Sequence, residues 1–167
     1  MKKATLKKLL EWALTIGLVA LLVVVVYHRF FGPGKQPQAQ VWNPLPGVAT
    51  VEVADNRETI TRGLMGRDSL PRDHGMYFLY EGAEQVHKFH MKNTRIPLSI
   101  AFIRADGVIA TIKDMTPFDE TPVSSEVAVK DALEMNQGWF AENDVRVGDR
   151  AKLEEDDGTV TFSRRSR

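Results

Sequence analysis

LSIAFIRADGVIATIKD, residues 98–114, is the stretch that decides the fold. At its centre Ala105-Asp106-Gly107 signals a hairpin, because Asp-Gly tolerates the positive φ angles that a tight turn requires. Strands are therefore predicted at 98–104 and 108–114. Working outward, VATVEV at 48–53 alternates, with Ala49, Val51 and Val53 on one face, as a half-buried strand does. Further strands are predicted at 76–80, 86–92 and 127–135, and 150–153 pairs with 159–162 around Asp156-Asp157-Gly158. Asp55 followed by Glu58 has the form of a capping box, opening a short helix over 56–65 with Ile60 and Leu64 on its inner stripe. Gly63 weakens a helix unless another backbone comes close, and Gly66 suits its C-terminal cap, so this helix lies tightly across a sheet. Residues 138–143 read as one further helical turn. The predicted class is α+β and β-rich: a mainly antiparallel sheet curled into a partial barrel with one short helix packed on it, preceded by an N-terminal transmembrane helix.

The 167 residues leave room for one domain of usual size, and 43% hydrophobic with 26% charged residues is ordinary globular composition. Lys and Arg balance Asp and Glu at 22 each, but unevenly along the chain. Between residues 41 and 160 there are 13 Lys and Arg against 21 Asp and Glu. Such an acidic body does not suit nucleic acid, whose phosphates need a basic surface. The chain has no cysteine, which excludes disulfides, Fe–S clusters, thiolate zinc sites and a cysteine nucleophile.

Residues 9–31 are almost wholly apolar, with Glu11 near one end and His28-Arg29 near the other. At about 1.5 Å per residue this stretch can cross a hydrocarbon core of about 30 Å. Trp12 and Tyr27 flank it at the depth where amphipathic rings favour the interface. Lys2, Lys3, Lys7 and Lys8 precede it, which predicts a basic cytoplasmic N-terminus at 1–8 and a domain on the extracytoplasmic side. Cleavage after Ala39 is disfavoured by Pro37, so the segment reads as an uncleaved signal anchor. GPGKQPQAQVWNPLPG, residues 32–47, reads as a linker. The domain is then expected over 48–162, with a basic tail at 163–167 that frays into solvent.

Arg62-Gly-Leu-Met-Gly-Arg67, Gly75-Met-Tyr-Phe78, Phe89-His-Met-Lys-Asn-Thr94 and Ile96-Pro-Leu-Ser-Ile100 follow one another in the order and form of a known family. The chain resembles the domain of unknown function 192 family, also called uncharacterised protein family 0127. Leu133-Glu134, Gly138 and Val147-Gly148-Asp149 extend the resemblance over nearly the whole domain. The resemblance implies a small β-rich domain, often exported or membrane-anchored, with no established activity. His90 stands where the family usually has tryptophan, and Ser99 where it usually has aspartate. A role resting on that aromatic platform or that carboxylate does not carry over.

Strand alternation places Lys88, His90 and Lys92 on one face of 86–92 and His87, Phe89, Met91 and Asn93 on the other. Beside the helix bearing Arg62 and Arg67, this predicts a basic cluster of Arg62, Arg67, His90, Lys92 and Asn93 that can hold an anion. Ion pairs with the many carboxylates are the structural alternative. The expected partners are thus the membrane, through residues 9–31, and an anionic envelope ligand or an envelope protein. His87, His90 and Met91 bring copper to mind, yet alternation sets the two histidines on opposite faces unless a bulge intervenes. Met65, Met76, Met91, Met115 and Met135 read as core fillers. No cofactor is implied, and no G-x-S-x-G, H-E-x-x-H or phosphate-cradling loop is present. A two-carboxylate glycan hydrolase is the enzymatic alternative to non-catalytic binding. Glu134, between Leu133 and Met135, is the carboxylate to follow, and its simplest placement is outward-facing or paired with Arg62.

Overall fold

The computed structural model describes residues 40–166 together with Leu22. Residues 1–8, the predicted anchor at 9–31 apart from Leu22, and 32–39 lie outside the described residues. Among the described residues no helix is long and apolar enough to cross a membrane.

The elements run β1 (Trp42–Ala54), α1 (Arg57–Arg62), β2 (His74–Phe78), β3 (Lys88–Phe89), β4 (Leu98–Ile103), β5 (Ile109–Met115), β6 (Val123–Ser124), β7 (Asp131–Asn136), α2 (Trp139–Glu142), β8 (Arg150–Glu154) and β9 (Thr159–Arg165). Seven strands form one sheet in the order β5-β4-β7-β2-β1-β9-β8, and β3 pairs with β6 separately. Every pairing is antiparallel except β1 with β2, whose connection carries α1. The domain is therefore β-rich, mostly antiparallel and served by two short helices. It is not a closed barrel. The sheet edges touch through one isolated bridge, Val108 with Arg150, where the Ala151 N–H donates to the Gly107 carbonyl at 2.9 Å.

The hairpin forms where predicted. The Arg104 N–H donates to the Val108 carbonyl at 3.0 Å, and Gly107 has φ 80°. A Cβ on Gly107 would sit 2.9 Å from the Ala151 carbonyl, so both backbone angle and space call for glycine there. All six residues of β4 are buried because both faces of the sheet are covered. Ala101 and Ile103 join Leu133, Met135, Trp139 and Phe162 on one side. On the other, Ile100 and Phe102 join Met76, Phe78 and Leu64.

Three boundaries differ from the sequence reading. The stretch read as the end of a linker is already sheet: Trp42–Pro44 pairs with Ser163–Arg165, and a register shift carries the chain past Leu45, Pro46 and Gly47. The same pairing orders the tail expected to fray. Arg164 donates through Nε and Nη2 to Asp149, each at 2.8 Å, and through Nη1 to Asp144 at 2.8 Å. Proline-rich and basic compositions concealed a pairing between segments more than 100 residues apart. Thirdly, β3 keeps only two residues of the predicted 86–92, because β6 offers only two partners. Asn93 then enters a turn at φ 52°.

Helix α1 is shorter than predicted and is capped one residue later. The Asn56 side chain accepts from the Glu58 and Thr59 N–H groups, while Thr59 Oγ1 accepts from the Asn56 N–H. Gly63 ends it at φ 48°, where a Cβ would lie 3.5 Å from the Phe78 ring. The close approach expected of Gly63 is thus made to a β2 side chain, and it lays the end of α1 over the sheet.

Candidate binding site

Where the end of α1 lies over β2 and β7, a cavity of about 250 Å³ remains. Its floor is Glu134, in the middle of β7, flanked in register by Met76 of β2 and Ile100 of β4. Alternation puts Leu133 and Met135 into one core and sends Glu134 to the opposite face, beneath α1. Phe78, Tyr80 and Phe89 form aromatic walls, with the Phe78 and Phe89 rings edge to face at 4.9 Å. Arg62, Lys88 and His90 complete the lining.

Glu134 is only 5% exposed, and among the described residues no hydrogen bond or ion pair reaches its carboxyl. Burial alone raises it from an ordinary 4.5 to about 8, because no partner offsets the lost hydration of the charge. Tyr80 is pushed up to about 12 by burial and by the carboxylates of Glu134 and Asp131. This corrects the placement expected for Glu134. It faces inward rather than to solvent, and the Arg62 guanidinium instead lies 4.0 Å from Glu58.

An open groove of about 830 Å³ shares Thr61, Arg62, Met65 and His90 with the cavity and adds Arg57, Glu58 and Lys92. The predicted cluster is thus assembled in part. Arg62, His90 and Lys92 meet along this groove, and the Lys92 N–H donates to His90 Nδ1 at 3.3 Å. Arg67 is elsewhere engaged: its two terminal nitrogens hold both oxygens of Glu52 at 2.6 and 2.7 Å. That pair lowers Glu52 and raises Arg67. Asn93 lines neither opening; its carbonyl accepts the Gly66 N–H at 2.8 Å. Tyr80, Thr94 and the two phenylalanines were not anticipated from sequence. Lys88 was legible, since it shares a strand face with His90.

The other chemistries find less. No group of three or more His, Asp or Glu among the described residues is placed to hold a metal ion. His87 is buried and stacks on Tyr80 at 3.9 Å, and burial lowers its pKa. Met76, Met91, Met115 and Met135 are buried core residues, as expected, whereas Met65 is half-buried and lines both the cavity and the groove. A further cavity, beside Trp139, carries Glu142.

Residues 42–153 match the DUF192 family, described as "Uncharacterized ACR". The chain belongs to this family. Two solved structures share its fold. One is a candidate transcription regulator from Sinorhizobium meliloti 1021, with 31% identity, 69% of this chain and 95% of that chain covered, and a TM-score of 0.58. The second is a protein of unknown function from Novosphingobium aromaticivorans DSM 12444, with 31% identity, 71% and 90% coverage, and a TM-score of 0.59. No curated protein matches. The segments that carry the family resemblance converge on the cavity: Arg62 to Met65, Phe78, Phe89, His90, Thr94 and Glu134 all line it. Ser99, at the second family departure, lies away from it, bonded to Asp114 and accepting from the Gly138 N–H.

Proposed function

We propose that this domain is a non-catalytic binding module for a small anionic ligand of the cell envelope. The observation that carries this reading is the meeting of Arg62, His90 and Lys92 along one groove that is continuous with a half-open cavity. Arg62 and Lys92 supply exposed positive charge at a concavity, which attracts an anion, and His90 adds a hydrogen-bonding imidazole. Residues 9–31 form the membrane anchor in this reading, with the N-terminus cytoplasmic and the domain held outside by residues 32–41. The glycan-hydrolase alternative requires two carboxylates acting across one cleft; the joined groove and cavity hold Glu134 and Glu58, and Glu58 faces the Arg62 guanidinium at 4.0 Å. The regulator description of the Sinorhizobium protein is not carried over, because 21 Asp and Glu against 13 Lys and Arg over residues 41–160 do not suit nucleic-acid phosphates.

The test is an amide NMR titration of the full chain in detergent micelles with inorganic phosphate and small organic phosphates. Shifts confined to Arg62, Lys88, His90 and Lys92 support the reading. A flat response at these residues refutes it.

A further inference from the structure

Resting on that reading, we propose that the ligand is a zwitterion whose ammonium group enters the cavity and pairs with Glu134 while its anionic group stays on the Arg62, His90 and Lys92 rim.

The floor and the rim are chemically opposite. At the rim every titratable group lining the opening except Glu58 is basic or imidazole. On the floor stands Glu134, a residue only 5% exposed, which lines the cavity and whose carboxyl lacks any protein partner among the described residues. A buried carboxyl kept without a partner loses stability for the fold, so its missing partner points to a ligand group. Lys88 and Arg62 also line the cavity yet make no ion pair with it. Phe78, Tyr80 and Phe89 line the cavity with Glu134, and aromatic rings near a desolvated ammonium favour it over a simple anion. A simple anion satisfies the rim and leaves the floor unpaired. A ligand with an anionic group and a primary ammonium satisfies both. The volume of about 250 Å³ leaves room for an ammonium group and the carbons that join it to the rim.

An incoming ammonium turns Glu134 into an ion pair and displaces its proton. The titratable groups facing Glu134 in the cavity are Arg62 from α1, Tyr80 after β2, and Lys88 and His90 from β3 and its end. Tyr80, pushed up to about 12 by burial and by the neighbouring carboxylates, holds its proton near neutrality. Proton release that depends on the ammonium therefore reports on Glu134.

The experiment is calorimetry on the full chain in detergent at pH 7, in buffers of differing ionisation enthalpy. O-phosphoethanolamine is compared with 2-hydroxyethyl phosphate, which replaces the ammonium by a hydroxyl of the same size. Phosphoethanolamine is expected to bind at least tenfold more tightly and to release about one more proton than its hydroxyl counterpart. Glu134→Gln, of nearly equal shape, is expected to abolish both differences. Equal binding of the two probes by the unmodified protein overturns this proposal while leaving the anion reading in place, with Glu134 then a neutral hydrogen-bond donor. Binding of neither probe removes the anion reading itself. A soluble short-chain phosphatidylethanolamine, added as competitor, separates the two sources of this chemistry. Tighter binding of the lipid assigns a phospholipid headgroup, tighter binding of phosphoethanolamine a free zwitterion, and either supports the proposal.

Discussion

Glu134 and Asp149 are both carboxylates shut away from water, at 5% and 2% exposure, and the fold treats them in opposite ways. Asp149 is fully provided for. It accepts two bonds from Arg164 and one from the Arg146 N–H at 3.0 Å. Asp131, also buried, is bonded by the Tyr77 hydroxyl at 3.1 Å and the Tyr80 N–H at 3.2 Å. Glu134 has neither kind of support and opens onto a cavity. A carboxylate held by internal donors fixes structure, whereas one left facing a cavity costs stability and keeps its bonding capacity for something else.

The widest separation between the two is expected in their pH response. Folding holds the Glu134 proton up to about pH 8, while the unfolded chain releases it near 4.5. The folded state therefore binds the extra proton in that window, and stability falls as pH rises from about 4.5 to 8, then levels off. The loss is on the order of 5 kcal/mol. Glu134→Gln should match the unmodified protein near pH 4.5 and surpass it by about that amount at pH 9, measured by urea unfolding across a pH series. Parallel profiles would mean that Glu134 is partnered in solution, and the contrast with Asp149 would disappear.

Removing the provided carboxylate has the opposite sign. Asp149→Ala strips Arg164 and the Arg146 N–H of their shared acceptor and should destabilise the domain by about 3 kcal/mol at pH 7. Unchanged unfolding in urea would show that Asp144 alone suffices to hold Arg164.

The same distinction can be drawn among the cations, with smaller effects. Arg62→Ala and Lys92→Ala, both on exposed side chains, should each weaken binding of an organic phosphate by roughly tenfold and leave the unfolding midpoint in place. Arg67→Ala should do the reverse. Loss of its partly exposed pair with Glu52 costs about 1 kcal/mol or less, and the affinity for phosphate stays unchanged. Weakened binding in Arg67→Ala would return Arg67 to the site.

Much of the fold was legible because its cues are local. Asp106-Gly107 sets a turn from its own backbone requirements, and β4, β5, β8 and β9 follow from the apolar runs beside such turns. The extended ends were not legible. Trp42–Pro44 and Ser163–Arg165 become strand through each other, and neither shows a periodicity of its own. Within the site, Arg62, His90 and Lys92 could be grouped from strand alternation and a neighbouring helix. Arg67 could not be told from Arg62, because only the fold brings Glu52 within 2.6 Å of it. The turn that removes Asn93 from the predicted strand likewise depends on contacts with Gly66 and on the shortness of β6.

Composition, alternation and glycine placement by themselves determined a β-rich, mainly antiparallel domain with an acidic body and a basic patch near Arg62 and His90, since these are set by backbone preference and residue period. The tertiary structure alone decided that Glu134 points inward without a partner. A strand residue's face is given by its register against β2 and β4, and whether a buried charge finds a donor depends on residues scores of positions away.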